Sequence, residues 1–146
     1  MTYKTCQELE AKSIKRLLPM ISNRFDEIEP IESKLAQRYL GDYLAVKNDK
    51  AYILEFKAEE KHTGNLFIEI WSNEGVNQGW FRKCRADYII YHFLDNGKVY
   101  LIDLPEFKKQ LIESNHRQVK QAKHDQKNVS VGLLVPVSEY SSVRKL

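Results

Sequence analysis

The pattern of apolar residues predicts an α/β or α+β fold in which a mixed central sheet is flanked by helices. Three observations carry that prediction. A helical period runs through the first twenty residues, a succession of strand-length segments rich in β-branched and aromatic residues follows from Tyr39, and a proline-initiated helix precedes one last apolar strand. The expected order is helix, a meander of strands, helix, strand.

Between Lys4 and Met20, Leu9, Ile14, Leu17, Leu18 and the following Ile21 recur at spacings close to a helical turn, with Lys and Glu between them. Pro19 is expected to end or kink this helix. Asn23 to Lys34, with Asp26, Glu27, Glu29 and Pro30, reads as a loop or a short helix. Tyr39 to Val46 reads as the first strand, Asn48-Asp49-Lys50 as a turn, and Ala51 to Lys57 as the second strand. Glu59 to Asn65 is a polar loop, Leu66 to Ser72 a third strand, and Gly75 and Gly79 bracket a further loop. Ala86 to Leu94 and Lys98 to Leu104 form a hairpin about Asn96-Gly97, a pair suited to the positive φ of tight hairpin turns. Pro105 suits the first turn of a helix running towards His116 or beyond, and Val129 to Val137 closes the chain as a strand.

At 146 residues, with 42% hydrophobic and 29% charged, the chain has the size and balance of one globular domain spanning residues 1–146. No apolar run approaches the roughly 18–20 residues that cross a bilayer, and no basic-then-apolar leader opens the sequence. Cys6 and Cys84 stand far apart without a close cysteine partner, which argues against a disulfide framework or a thiolate zinc site. The expected setting is therefore the reducing cytoplasm. A net charge of +3 does not by itself define a nucleic-acid binder, so distribution matters more. Acidic residues gather around Asp26 to Glu32, and basic ones at Arg82-Lys83-Cys84-Arg85 and between Lys108 and Lys127.

Glu55 and Lys57 lie two apart on one strand and so share a face. Folding that strand back about Asp49-Lys50 pairs Val46 with Ile53, Leu44 with Glu55 and Asp42 with Lys57. Asp42 then stands beside Lys57 and diagonal to Glu55, at about 7–8 Å between backbones. An odd-length turn or a bulge would send Asp42 to the other face, so everything depends on register. Two hard carboxylates at that distance suit Mg²⁺ or Mn²⁺, which polarises a phosphate and acidifies a bound water. A neighbouring lysine orients or deprotonates that water, or neutralises developing charge. Charges inside an apolar strand are costly unless paired or metal-bound.

Asp42, twelve intervening residues, then Glu55-Phe56-Lys57 resembles the motif of the PD-(D/E)xK nuclease superfamily. The expected order of elements is similar to that superfamily's restriction-endonuclease-like αβββαβ core, over roughly Lys4 to Val137. The resemblance implies that Asp42 and Glu55 hold a divalent metal, with the Phe56 carbonyl as a further ligand and Lys57 as the catalytic lysine. It further implies an accessory acidic residue in the first helix, for which Glu8 and Glu10 stand as alternatives. The chain departs from the pattern at Gly41, where proline is usual. The bland counterpart is plain: an Asp and an ExK in a strand-rich protein also arise by chance, as solvent-facing charges on an edge strand.

Other residues carry weaker signals. Glu69, on the third strand, is either an extra acidic metal ligand or an outward carboxylate. Trp80, Arg82, Lys83 and Arg85 combine aromatic and basic character suited to nucleic acid, although aromatics such as Trp80 and Phe81 more often belong to the core, and Arg82, Lys83 and Arg85 are the better candidates for phosphate contact. Asp87 suits a salt bridge or a turn. His116 and His124 are too far apart for an ordinary zinc pair and, with Lys120 and Lys123, read as solvated helix surface or a basic strip along a phosphate backbone. His62 and His92 show no partner pattern, and no GxSxG elbow, P-loop or dinucleotide fingerprint occurs.

These readings combine into an expectation: a Mg²⁺-dependent endonuclease or nickase (Mn²⁺ substituting) acting on DNA, of the restriction, junction-resolving or phage DNA-processing kind. The setting would be the cytoplasm of a bacterial or phage-infected cell, with no membrane partner. A homodimer is expected on mechanism alone, since a lone active site cuts one strand. The competing expectation is a non-catalytic nucleic-acid-binding or protein-interaction module on the same fold.

Overall fold

The structure is a computed structural model that describes residues 3–112, 116, 118–122 and 129–146, with residues 3–6, 121 and 122 described in backbone only. Helix α1 spans Tyr3–Ser22. Strand β1 (Glu27–Pro30), helix α2 (Lys34–Tyr39), strands β2 (Tyr43–Lys47), β3 (Lys50–Glu59), β4 (Asn65–Asn73) and β5 (Asn77–Gln78), and helix α3 (Trp80–Lys83) follow. Then come β6 (Tyr88–Phe93), β7 (Val99–Asp103), α4 (Leu104–Ile112), β8 (Gln118–Ala122), β9 (Val129–Pro136) and β10 (Val143–Lys145). The fold is mixed α+β, with four helices among the described residues and a mixed central sheet. No helix there is long and apolar enough to cross a membrane.

The central sheet has the order β1-β2-β3-β6-β7-β10 and is antiparallel except where β3 runs parallel to β6. A second sheet, β5-β4-β9-β8, packs on one of its faces. Alternation along β3 decides which side chain goes where. Leu54 and Phe56 point into a core shared with Leu17 and Ile21 of α1, Ala45 and Ile90. Ile53 points the other way, towards the core built from Leu66 and Ile68 of β4, Val135 of β9, Phe81 of α3 and Phe107 of α4. Glu55 and Lys57 alternate with Leu54 and Phe56 on the same face as Ile53, where Lys57 meets the Trp80 ring of α3.

Several expectations are corrected. Pro19 does not end α1, which continues to Ser22. The acidic stretch after it is not a loop or helix throughout: Glu27–Pro30 pairs with Tyr43–Val46 as an edge strand, where the proline's missing N–H is tolerated. Tyr39 belongs to α2, capped by Ser33, and the strand starts only at Tyr43. The third strand, β4, leaves the meander for the second sheet, and β6 takes the place beside β3. The helix expected to run from Pro105 towards His116 or beyond is described over Leu104–Ile112, His116 is not helical, and Gln118–Ala122 is a strand whose backbone pairs with β9. The chain's last strand is β10 rather than β9.

Candidate functional site

The β2–β3 hairpin sets the site. Lys47 pairs with Lys50, so the loop is the two residues Asn48 and Asp49, both at positive φ (52° and 62°). This is the geometry of a tight turn whose twist matches that of its strands, and Asn and Asp tolerate it. The turn lies one residue earlier than expected, and every pairing moves by two: Leu44 meets Ile53, not Glu55, and Tyr43 meets Leu54. Continued one step, the register sets Asp42 beside Glu55 rather than Lys57. A shift of two keeps every side chain on its expected face, whereas a shift of one would have separated the carboxylates.

Asp42 then does more than stand opposite. Its backbone N–H donates to the Leu54 carbonyl at 2.9 Å, and its carboxylate Oδ2 accepts the Phe56 N–H at 2.8 Å. The ladder between β2 and β3 stops at Tyr43 and Leu54, so the carboxylate takes the place of the missing strand. In an extended strand a residue's N–H and C=O project to the same edge, so the Phe56 carbonyl shares this edge with Asp42. Gly41 makes the approach feasible. A Cβ there would sit 2.7 Å from Ile53 Cγ2, 3.1 Å from the Leu54 carbonyl and 3.4 Å from Glu55 Oε2. The departure from proline at this position therefore has a steric reason in this chain.

Lys57 Nζ lies 3.5 Å from Glu10 Oε1 and 4.0 Å from Glu55 Oε1, and 5.2 Å from the centroid of the Trp80 ring. Of the two alternatives in the first helix, Glu10 is the one that reaches the site. Glu8 is exposed. Trp80 gets there because Gly79 packs directly on β4: a Cβ at Gly79 would lie 2.4 Å from the Glu69 carbonyl oxygen.

The electrostatics follow from burying three carboxyls around one ammonium. Burial raises the Glu55 carboxyl, the negative charge of Asp42 raises it further, and it is pushed up to about 8 despite Lys57. Asp42 is also raised by burial, against the hydrogen bond from Phe56 and the attraction of Lys57. A hydrogen bond shared between the two carboxyls lowers Asp42 and raises Glu55. Glu10 is raised by burial, with Lys57 opposing. Burial alone would lower Lys57, but Glu10, Glu55 and Asp42 together outweigh it and hold the ammonium charged.

Among the described residues no cluster of three or more His, Cys, Asp or Glu side chains is arranged to hold a metal. Two carboxylates are nevertheless the usual protein share for Mg²⁺, which keeps waters and takes substrate oxygens for the rest. The raised Glu55 carboxyl beside Asp42 marks where a cation would relieve like-charge repulsion. On that chemistry the donor set of Asp42, Glu55 and the Phe56 carbonyl fits a hard divalent ion.

The remaining candidates separate. Glu69 lies on β4 and accepts from Ser130 Oγ at 2.9 Å; among the described residues no contact joins it to Asp42 or Glu55. Arg82 stacks on Trp71 at 4.5 Å, and with Lys83 and Arg85 it is exposed. Lys120 is tied to Glu74 at 3.0 Å, across the second sheet. Phe81 is core, as is Cys84, whose thiol is raised by burial and feels the charges of Glu55, Lys57 and Lys108. Asp87 accepts the Ile53 N–H at 2.7 Å and fastens β3 to the start of β6. His116 bonds the Tyr140 hydroxyl, His62 that of Tyr100, and His92 the Ser13 hydroxyl, so all three are structurally engaged. His124 and Lys123 lie outside the described residues. Nothing in the sequence pattern places Trp80 over Lys57 or Cys84 beside the site, because both arrive from another layer. The chain matches no protein-family model and no curated protein in sequence.

Proposed function

We propose that the chain is a Mg²⁺-dependent nuclease, an endonuclease or nickase that hydrolyses DNA phosphodiesters, on a restriction-endonuclease-like core. The observation that carries this reading is the convergence of Asp42 and Glu55 on one another with Lys57 at 4.0 Å from Glu55. On this reading, helix α1, the β2–β3 hairpin and the parallel β6 would correspond to elements of that core, and β4, in the second sheet, would not. When bound by Asp42, Glu55 and the Phe56 carbonyl, the cation supplies Lewis acidity towards phosphate and a more acidic water.

The chain's own residues do the rest. To hold the ion, Glu55 would have to give up its proton. Lys57 stays an ammonium, held by three carboxyls, so its role is to orient the attacking water and neutralise charge on the phosphate rather than to act as the base. Glu10 and the Trp80 ring position that ammonium. Exposed Arg82, Lys83 and Arg85, next to Trp80 in sequence, supply phosphate contacts.

The test is incubation with supercoiled, linear, branched and single-stranded DNA, and with RNA, in Mg²⁺, Mn²⁺ or EDTA. Metal-dependent cleavage is expected, reduced about 100-fold or more in Lys57→Ala and abolished in Asp42→Ala. Cleavage retained in both folded variants would sink the site. Metal-independent binding without cutting would favour a non-catalytic module on the same fold.

A further inference from the structure

A second cleft opens on the face of the central sheet opposite the candidate site. It has a volume of about 160 Å³ and lies between the end of α1 and the hairpin tip, floored by Ile90 and Leu101. Its walls include three half-buried aromatic rings, Phe25, Tyr52 and Tyr88, packed with centroids 6.4 Å (Phe25–Tyr52) and 5.7 Å (Tyr52–Tyr88) apart. Its rim carries Arg24, Lys47 and Arg144, all exposed; no Asp or Glu side chain lines it, and Leu146, the last residue of the sequence, also lines it. None of the three cations forms an ion pair among the described residues. Tyr52 shares its face with Leu54 and Phe56, so the cleft and the Glu55–Lys57 pair lie on opposite sides of β3.

Three unpaired cations around an aromatic well are the chemistry of a base held over rings with its phosphate at the rim. The volume corresponds to about five waters, enough for a planar ring but not for a whole nucleotide, so sugar and phosphate would fall on the rim among the cations. From this we infer that the cleft binds a nucleoside phosphate, either free or as one nucleotide of a strand. The binding needs neither the metal nor Asp42, and stands whether or not the chain cuts DNA.

The experiment is an NMR titration of the whole chain in EDTA with dAMP, deoxyribose 5-phosphate, inorganic phosphate and a short oligodeoxyadenylate. Shifts at Phe25, Tyr52 and Tyr88 are expected with dAMP, at an affinity about tenfold above the two ligands lacking a base. Arg24→Ala with Arg144→Ala should weaken dAMP about tenfold, with Lys47→Ala as a milder second variant, at unchanged thermal midpoint. Tyr88→Phe should retain binding. An oligonucleotide binding more tightly than dAMP identifies a strand as the source, and equal affinity identifies the free nucleotide. Equal binding of dAMP and deoxyribose 5-phosphate, shifts confined to other residues, or indifference to the arginine variants would overturn the assignment.

Discussion

The carboxylate of Asp42 holds the backbone N–H of Phe56 at 2.8 Å, and so fixes the strand segment that carries Glu55 and Lys57 on either side. One aspartate thus serves as a strut and as a charge. Asp42→Asn preserves much of the strut and removes the charge. The Glu55 carboxyl should then titrate well below its present value of about 8. Burial, the largest cause of its shift, remains, so it should stay above the ordinary glutamate range. Carbon-detected NMR titration of Glu55 reads this directly, and an unmoved Glu55 would show that Asp42 does not couple to it.

Stability without metal should fall as pH rises. The Glu55 carboxyl is held above its ordinary 4.5 in the folded chain, so folding favours the protonated form. That contribution is complete below about pH 4.5 and is lost as pH rises through about 8. Asp42 and Glu10 are raised as well and act in the same direction. Glu55→Gln should flatten the decline and, in EDTA at pH 8, be more stable than the parent by on the order of 2 kcal/mol, or roughly 5 °C. Thermal melts across pH 5–8 measure it. Parallel pH profiles for both proteins would refute the buried-proton account.

Metal binding should release protons. If Glu55 exchanges its proton for Mg²⁺, apparent affinity should rise with pH between about 6 and 8. Calorimetry in buffers of different ionisation enthalpy should count close to one proton released at pH 7. Affinity independent of pH would mean that the ion does not engage Glu55.

Gly41→Ala should damage both fold and site. Its Cβ meets Ile53 Cγ2 at 2.7 Å and the Leu54 carbonyl at 3.1 Å, so the hairpin must shift to admit it. A loss of about 1–3 kcal/mol is expected from denaturant melts. Gly41→Pro should be worse still, although proline is what the nuclease motif would put there. A neutral Gly41→Pro variant would mean that this loop is looser than the packing around Ile53 implies.

Short-range features were legible in the chain. The period of α1 about Leu17 and Ile21, the alternation of Leu54-Glu55-Phe56-Lys57, and the Asn96-Gly97 hairpin depend on neighbours a few residues away. They appear in the structure at nearly the expected places. Even the misplaced turn left Asp42 on the face of Glu55, because the error in pairing was even. Glu27–Pro30 was illegible as a strand, since an exposed acidic edge strand owes its form to pairing with β2 and not to its own pattern. Likewise β4 and β6 are both apolar strands, and nothing local says which of them lies beside β3. That choice buries Leu66 and Ile68 between two sheets.

For Asp42, Glu55 and Lys57, then, the sequence by itself determined the residue types, the shared face of Glu55 and Lys57, and the hairpin that returns Asp42 to them. Those are consequences of a two-residue period and a turn. The tertiary structure decided that Asp42 caps Phe56 where β2 ends, that Glu10 rather than Glu8 meets Lys57, and that Trp80 covers the lysine. Each of these contacts joins residues from separate elements. Their charges are set by burial and mutual distance, which exist only once the layers have packed.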